Sequence, residues 1–184
     1  MDKRKLYFIA LVPDRELREE IRRLKEQMQK RFNAGHALKS PAHITLQMPF
    51  KRNETDEIQM DDALRDFAAG ESSFVVELNG YGSFAPKVIF IKVVNHQPVH
   101  DLHARLKRVL TEKLHFTPAE VMSGFHPHIT LATRDLTPDA FKKAWPEVEK
   151  KEFKASFDAG SICLLKHNGR QWYILGEYFF GNDE

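Results

Sequence analysis

The chain of 184 residues has a single cysteine, Cys163. One thiol forms no internal disulfide and supplies no thiolate cluster for zinc, so neither device can organise the fold. Flanked by Ile162 and Leu164, Cys163 reads as a buried strand residue. Net charge is also scarce, since 28 basic and 26 acidic side chains leave only +2. So balanced a chain is not a sequence-independent binder of long duplex nucleic acid, which needs many cations to displace counterions. A local basic patch can still hold a small anion or one end of an RNA. No apolar stretch approaches the roughly 18 residues that cross a membrane. The apolar segment Leu6 to Val12 follows Lys3-Arg4-Lys5 much as in an export signal. It is short, however, ends at Pro13-Asp14 and lacks a small-residue cleavage site. Low-complexity tracts and flexible linkers are missing too. The expectation is a cytoplasmic protein with no membrane partner, acting as a monomer, with fourteen phenylalanines available to its core.

What the chain has is a short phrase said twice. Pro41-Ala42-His43-Ile44-Thr45-Leu46 is echoed, near half the chain length later, by His126-Pro127-His128-Ile129-Thr130-Leu131. On an extended strand, side chains alternate faces. His43 and Thr45 then point one way while Ile44 and Leu46 point the other, and His128 and Thr130 stand likewise against Ile129 and Leu131. Each strand can bury its aliphatic side and present an imidazole and a hydroxyl on the opposite side.

The elements around the phrase follow from periodicity and punctuation. Leu6 to Val12 reads as a strand, and Asp14 as the cap of a helix with an apolar stripe at Leu17, Ile21, Leu24 and Met28. Lys25, Lys30 and Arg31 read as its solvated face. The first phrase is a strand from His43 to Met48, closed by Pro49. Thr55 is the expected cap of a second helix that turns Ile58, Leu64 and Phe67 inward. A hairpin joins Phe74–Leu78 to Val88–Val94, with a bulge or bend at Gly80 and Gly82. A third helix runs from Val99 to Leu114, with His100, His103 and Lys107 on its outer face. The second phrase is a strand from His128 to Thr133. Thr137-Pro138 starts a fourth helix that Pro146 kinks or ends. Three strands finish the chain, the last two joined by a turn at Asn168-Gly169. Each phrase therefore follows a strand and a long helix. The reading is α+β, residues 1–184 as one domain of two interleaved, pseudo-symmetric lobes with the phrases at the seam.

Two imidazoles titrating near pH 6.5 can share acid and base duties, and each positioned proton transfer is typically worth on the order of 10²–10⁴-fold. A hydroxyl two residues away on the same face can hold a non-reacting anionic oxygen. The set suits a phosphodiester, and the scheme calls for no metal or other cofactor. One His-x-Thr alone would be read as a satisfied core histidine; two copies of His-Ile-Thr-Leu, both closely preceded by proline, are hard to assign to chance. A metal site from His43, His126 and His128, or from His100 and His103, lacks accompanying carboxylates or thiolates.

His43-Ile44-Thr45-Leu46 and His128-Ile129-Thr130-Leu131 resemble the paired His-x-Thr motifs of the 2H phosphoesterase superfamily, in its LigT or 2′-5′ RNA ligase-like branch. The resemblance implies a bilobal α+β fold, two lobes of antiparallel sheet with outer helices around a central cleft. It also implies metal-independent chemistry on 2′,3′-cyclic phosphates or 2′-5′ linkages, with an RNA terminus or a cyclic nucleotide as substrate. By that analogy His43 leans to the acid and His128 to the base, with Thr45 and Thr130 holding the phosphate. Such proteins often carry a basic residue just after the second motif. The nearest match, Arg134, sits six residues beyond His128 and shares its face if the strand continues that far. Lys51, Phe50 and Phe125 join Arg134 as candidate substrate contacts. Tyr81 and Phe84 are further aromatics able to stack on a base. A nucleotide- or RNA-binding module without turnover is the alternative on the same fold.

Overall fold

The computed structural model of the protein describes residues 3–181. β1 (Lys5–Leu11) leads into α1 (Arg15–Phe32), whose first turn is capped by the Asp14 carboxylate accepting from the Leu17 amide at 3.0 Å. A 3-10 turn (His36–Lys39) precedes β2 (Ile44–Arg52), and a second (Glu54–Asp56) precedes α2 (Glu57–Ala69). Then come β3 (Phe74–Phe84), β4 (Val88–Val93), α3 (His96–Glu112) and β5 (His128–Ala132). α4 (Pro138–Val148), β6 (Lys154–Ala159), β7 (Ser161–His167) and β8 (Trp172–Phe179) complete the chain.

The eight strands form one antiparallel sheet in the order β6-β3-β4-β5-β2-β1-β7-β8. Its two halves mirror each other about the middle. In each, a strand, a long helix and a motif strand follow in sequence, and the motif strand lies innermost. β2 and β5 meet at the register pair Ile44–Ile129. The α+β architecture is as expected from the order of elements.

The two faces of the sheet are unlike. Tyr7, Ile9, Leu11, Ile44, Leu46, Ile129 and Leu131 join the helix side chains in one large core. The opposite face of β1 and β7 carries only a small apolar floor of Phe8, Ala10, Cys163 and Leu165. Cys163 is buried there as read, and burial pushes its thiol up to about 12.

Several local expectations need correction. β2 runs through Pro49 instead of ending at it. Its register against β1 slips twice, each time leaving one extra residue on β2, and Met48 and Pro49 fall opposite Phe8 at the second slip. A bulge is where a strand tolerates proline. α2 begins after the Asn53-capped turn and not at a Thr55 cap. Ile58 is 75% exposed, because Met60 takes the inward position and two residues are about 200° apart on a helix. His103 is buried within the stripe Val99, Leu102, Leu106 and Leu110, not on the outer face. Lys25 is buried too, at 3% exposure. Of the two alternatives for Pro146, ending the helix is excluded, since α4 continues to Val148.

Candidate active site

His43 precedes β2 by one residue and His128 begins β5, so the Ile44–Ile129 pair sets both histidines beside the seam. With Ile44 and Ile129 turned into the main core, their neighbours face the other side of the sheet. There His43, Thr45, His128 and Thr130 all line one cleft of about 520 Å³.

The two imidazoles are held alike. His43 Nδ1 lies 2.7 Å from the Pro41 carbonyl, and His128 Nδ1 lies 2.7 Å from the His126 carbonyl. A carbonyl oxygen only accepts, so Nδ1 carries the proton in both rings. Nε2 is then the basic nitrogen of each neutral ring and the second N–H of each protonated one. Packing repeats the symmetry. His43 lies against Phe8 of β1, with ring centroids 4.7 Å apart, and His128 against Phe90 of β4 at 4.8 Å. Behind these stand Trp172 on Phe8 and Phe84 on Phe90, each at 4.7 Å.

The electrostatics are less symmetric. Burial, with the Lys25 cation beyond it, lowers His43 to about 4 against the opposing pull of the Pro41 carbonyl. Burial lowers His128 as well, against the opposing pull of the His126 carbonyl and with the His126 side chain pushing it down. Lys25 is itself lowered to about 8 by burial, with Arg22 pushing the same way. Its ammonium donates to the Ala37 and Ser40 carbonyls, both at 3.0 Å. That pins the loop leading to Pro41, whose carbonyl fixes the His43 ring.

Of the other expected contacts, the cleft gathers Arg134 and Phe84. Arg134 lines it, but β5 ends two residues earlier, so strand alternation is not what brings it there. A turn with Arg134 in the left-handed region (φ 50°) does so. Phe50 is packed in the helix-covered core against Tyr7 and Phe116, because the slipped register of β2 turns it inward beside Tyr7. Lys51 is exposed near the end of β2, outside the cleft lining. Phe125 lies outside the lining as well, stacked on His103 with centroids 4.0 Å apart. Tyr81 is 8% exposed and packs on Phe153, whereas Phe84 does border the cleft.

Sequence reading missed His36, Lys39 and Ser40 of the loop before the first phrase, His126 as a wall, and Trp172. The loop is tied to the turn after β5 by Asp135, whose carboxylate accepts from the Gly35 and His36 amides, both at 2.9 Å. Burial and the nearby Arg134 and Lys39 hold His36 below the ordinary histidine range. Among the described residues, no group of three or more His, Cys, Asp or Glu side chains is placed to hold a metal ion.

Sheet, seam and cleft together define an antiparallel α+β protein in which two His-x-Thr strands share one site. A family model described as the 2′-5′ RNA ligase superfamily matches residues 13–171. The chain belongs to that superfamily, the two-histidine (2H) phosphoesterases. Two relatives carry provisional phosphoesterase names. One, from Bacillus pumilus, is 28% identical over 181 residues, covering 96% of this chain and 98% of its own. The other, from Geobacillus sp. (strain WCH70), is 26% identical over 183 residues, covering 97% and 98%. Among solved structures, TT0787 of Thermus thermophilus superposes with a TM-score of 0.70 at 20% identity, covering 98% of this chain and all of that one. Escherichia coli LigT gives 0.67 at 17% identity, covering 97% and 99%. These likenesses establish the fold, and family and relatives together give a phosphoesterase or RNA ligase-like function.

Proposed function

We propose that the protein hydrolyses 2′,3′-cyclic phosphates, at RNA ends or on small cyclic nucleotides, by acid/base catalysis between His43 and His128. The observation that carries this reading is the matched pair of Nδ1-to-carbonyl hydrogen bonds, which leaves two like Nε2 atoms for one ligand in one cleft. In the step, a water oxygen attacks phosphorus as one Nε2 takes its proton. The ester bond to the ribose oxygen breaks as the other Nε2–H gives that oxygen a proton, leaving a phosphomonoester and a free hydroxyl. Thr45 and Thr130 donate to the non-bridging oxygens. The two halves of the sheet act as one domain of interleaved lobes, each supplying one histidine and one threonine.

The lean towards His43 as acid is better reversed. With a pKa of about 4, His43 would be protonated in about one molecule in a thousand at pH 7, so it suits the base. His128, away from Lys25, is the better acid, since a bound anionic phosphate favours its protonated form. Solved structures of E. coli LigT with 3′-AMP, with ATP and with phosphate support a nucleoside-phosphate ligand for a fold of this kind. With a ribose 5′-hydroxyl in place of water, the same step would break the bond to the 3′-oxygen, return a proton to that oxygen and join 2′-5′ ends.

The test offers 2′,3′-cyclic mononucleotides in the presence of EDTA to the wild type, His43→Ala and His128→Ala. Hydrolysis should persist with EDTA and fall by about 10²–10⁴-fold in either variant. Turnover that survives both substitutions would sink the mechanism. Nucleotide binding without any turnover would favour a binding module on the same fold.

A further inference from the structure

Beyond the cleft lies a second concavity of about 440 Å³, between α1, the loop from Leu38 to Ala42 and the start of β8. α1 turns Arg15, Arg18, Arg22 and Lys25 towards it. Their spacings of three, four and three put them on one face of the helix. Lys39 adds a fifth cation from the loop, and Glu19 is the one carboxylate in the lining. For a chain with a net charge of +2, this is a concentrated positive surface. Helix stability does not account for it, since like charges four residues apart, as at Arg18 and Arg22, repel. Nor do ion pairs absorb it. Arg22 meets Glu26 in an exposed pair, which contributes little, and Arg18 Nε is buried without a hydrogen-bond partner.

The facing wall is aromatic: Trp172 and the 39% exposed Tyr173. Trp172, Lys39 and Ser40 also line the catalytic cleft, so the two concavities adjoin and Trp172 stands at their border. Cations that follow a backbone, interleaved with rings on which bases stack, are the combination that grips single-stranded nucleic acid.

We propose that this groove is a second anion subsite, formed by Arg15, Arg18 and Arg22, which takes the phosphate of the nucleotide next to the reacting one. Trp172 stacks on the base between them. The inference rests on reading the cleft as a phosphoesterase site, and makes its preferred substrate a ribonucleotide chain that enters along α1.

Three substrates with a 2′,3′-cyclic phosphate test it: a mononucleotide with a free 5′-hydroxyl, the same mononucleotide with a 5′-phosphate, and a trinucleotide. They are compared on the wild type and on Arg15→Gln/Arg22→Gln, which changes two exposed side chains. The wild type should favour the trinucleotide over the plain mononucleotide by about tenfold or more in kcat/KM, the effect of one or two charge-assisted hydrogen bonds. The double variant should lose most of that preference while hydrolysing the plain mononucleotide as before. Its trinucleotide rates should also depend less steeply on salt, by about 0.7 in the log–log slope for each phosphate no longer neutralised. Equal rates on all three substrates, or a variant that slows mononucleotide and trinucleotide alike, would overturn the subsite. A 5′-phosphate that captures the whole gain would overturn its assignment to a chain. If no cyclic phosphate is hydrolysed, the reading of the cleft fails first. Binding of a fluorescent trinucleotide 3′-phosphate then decides for the groove: about tenfold weaker binding to the variant supports it, and equal binding overturns it.

Discussion

Ile44 and Ile129 pair across the middle of the sheet, the first in the strand of one phrase and the second in the strand of the other. The pairing is antiparallel, so continuing its register by one residue each way sets His43 opposite Thr130 and Thr45 opposite His128. Histidine and threonine then alternate around the four corners of the seam. Each imidazole has across from it the hydroxyl of the other phrase, not its own. A phosphorus atom above the Ile44–Ile129 pair would meet an imidazole on two opposite sides and a hydroxyl on the other two. On the proposed reading, the repeat in the sequence thereby becomes a site with two proton-transfer positions and two anion-holding positions.

The hydroxyls can be tested without disturbing the shape of the site. Thr45→Val and Thr130→Val keep the branched side chain and remove only the donor. A hydrogen bond to a charged oxygen is worth about 1.5–3 kcal/mol, so each variant should lose roughly 10–100-fold in kcat/KM. Thr45→Ser and Thr130→Ser should recover most of it. Valine variants that turn over like the wild type would mean that the hydroxyls do not hold the phosphate.

His43 should also leave a mark on stability. Its folded value, about 4, lies below its unfolded value of 6.5, so between those pH values the unfolded chain binds more protons. Stability therefore rises with pH across this window and is lost as pH falls through about 4. From this group alone the loss amounts to roughly 3 kcal/mol. His43→Gln should flatten that part of the profile in urea unfolding measured from pH 4 to 7. The slope that remains belongs to groups such as His128 and His103, which burial shifts the same way. An unchanged profile would mean that burial does not hold His43 neutral.

The elements legible in the sequence are those set by local rules. The Asp14 and Thr137 caps, the Leu17–Ile21–Met28 stripe and the alternation of both phrases all follow from neighbours a few residues away. What escapes depends on the order of strands. Trp172 comes to the cleft because β8 lies beyond β7 and β1, and no nearby periodicity announces that. Lys25 reads as solvent-facing because a lysine on a helix whose faces outside the apolar stripe are charged normally reaches water. Here the carbonyls of Ala37 and Ser40, from a loop whose path is not legible, take the place of water. Phe50 and Phe125 show the converse. An aromatic beside a motif suits core and cleft equally well, and the bulged register of β2 and the burial of His103 decide for the core.

Lys25 gives a prediction that separates field from scaffold. Lys25→Met keeps the apolar stem and removes the cation, leaving two loop carbonyls without their donor at a cost of about 1–3 kcal/mol. With the charge gone, the His43 pKa should rise from about 4 towards the ordinary histidine value, read by NMR titration of the ring. The acid limb of the kcat/KM profile should move up with it. A loss of stability with an unmoved titration would leave Lys25 as a loop anchor only.

Gly82 tests whether the ring behind His128 sets its position. Gly82 of β3 pairs with Phe90 of β4, and Phe90 pairs in turn with Thr130 of β5. A Cβ at Gly82 would stand 2.5 Å from Phe90 Cε2 and 2.7 Å from its Cζ. Phe90 is 3% exposed and held between Phe84 and His128, so it has no open space into which to turn. Gly82→Ala must therefore press the ring towards His128. Overpacking of this kind costs about 1–3 kcal/mol of stability. A misplacement of about 1 Å at a reacting group can cost on the order of 10²-fold in rate. The variant should fold with a lowered melting temperature and show a drop in kcat larger than the change in KM. Adding Phe90→Leu, which makes room for the new methyl, should restore part of the rate. If Gly82→Ala loses stability but keeps its full kcat, Phe90 supports the sheet and has no part in aiming His128.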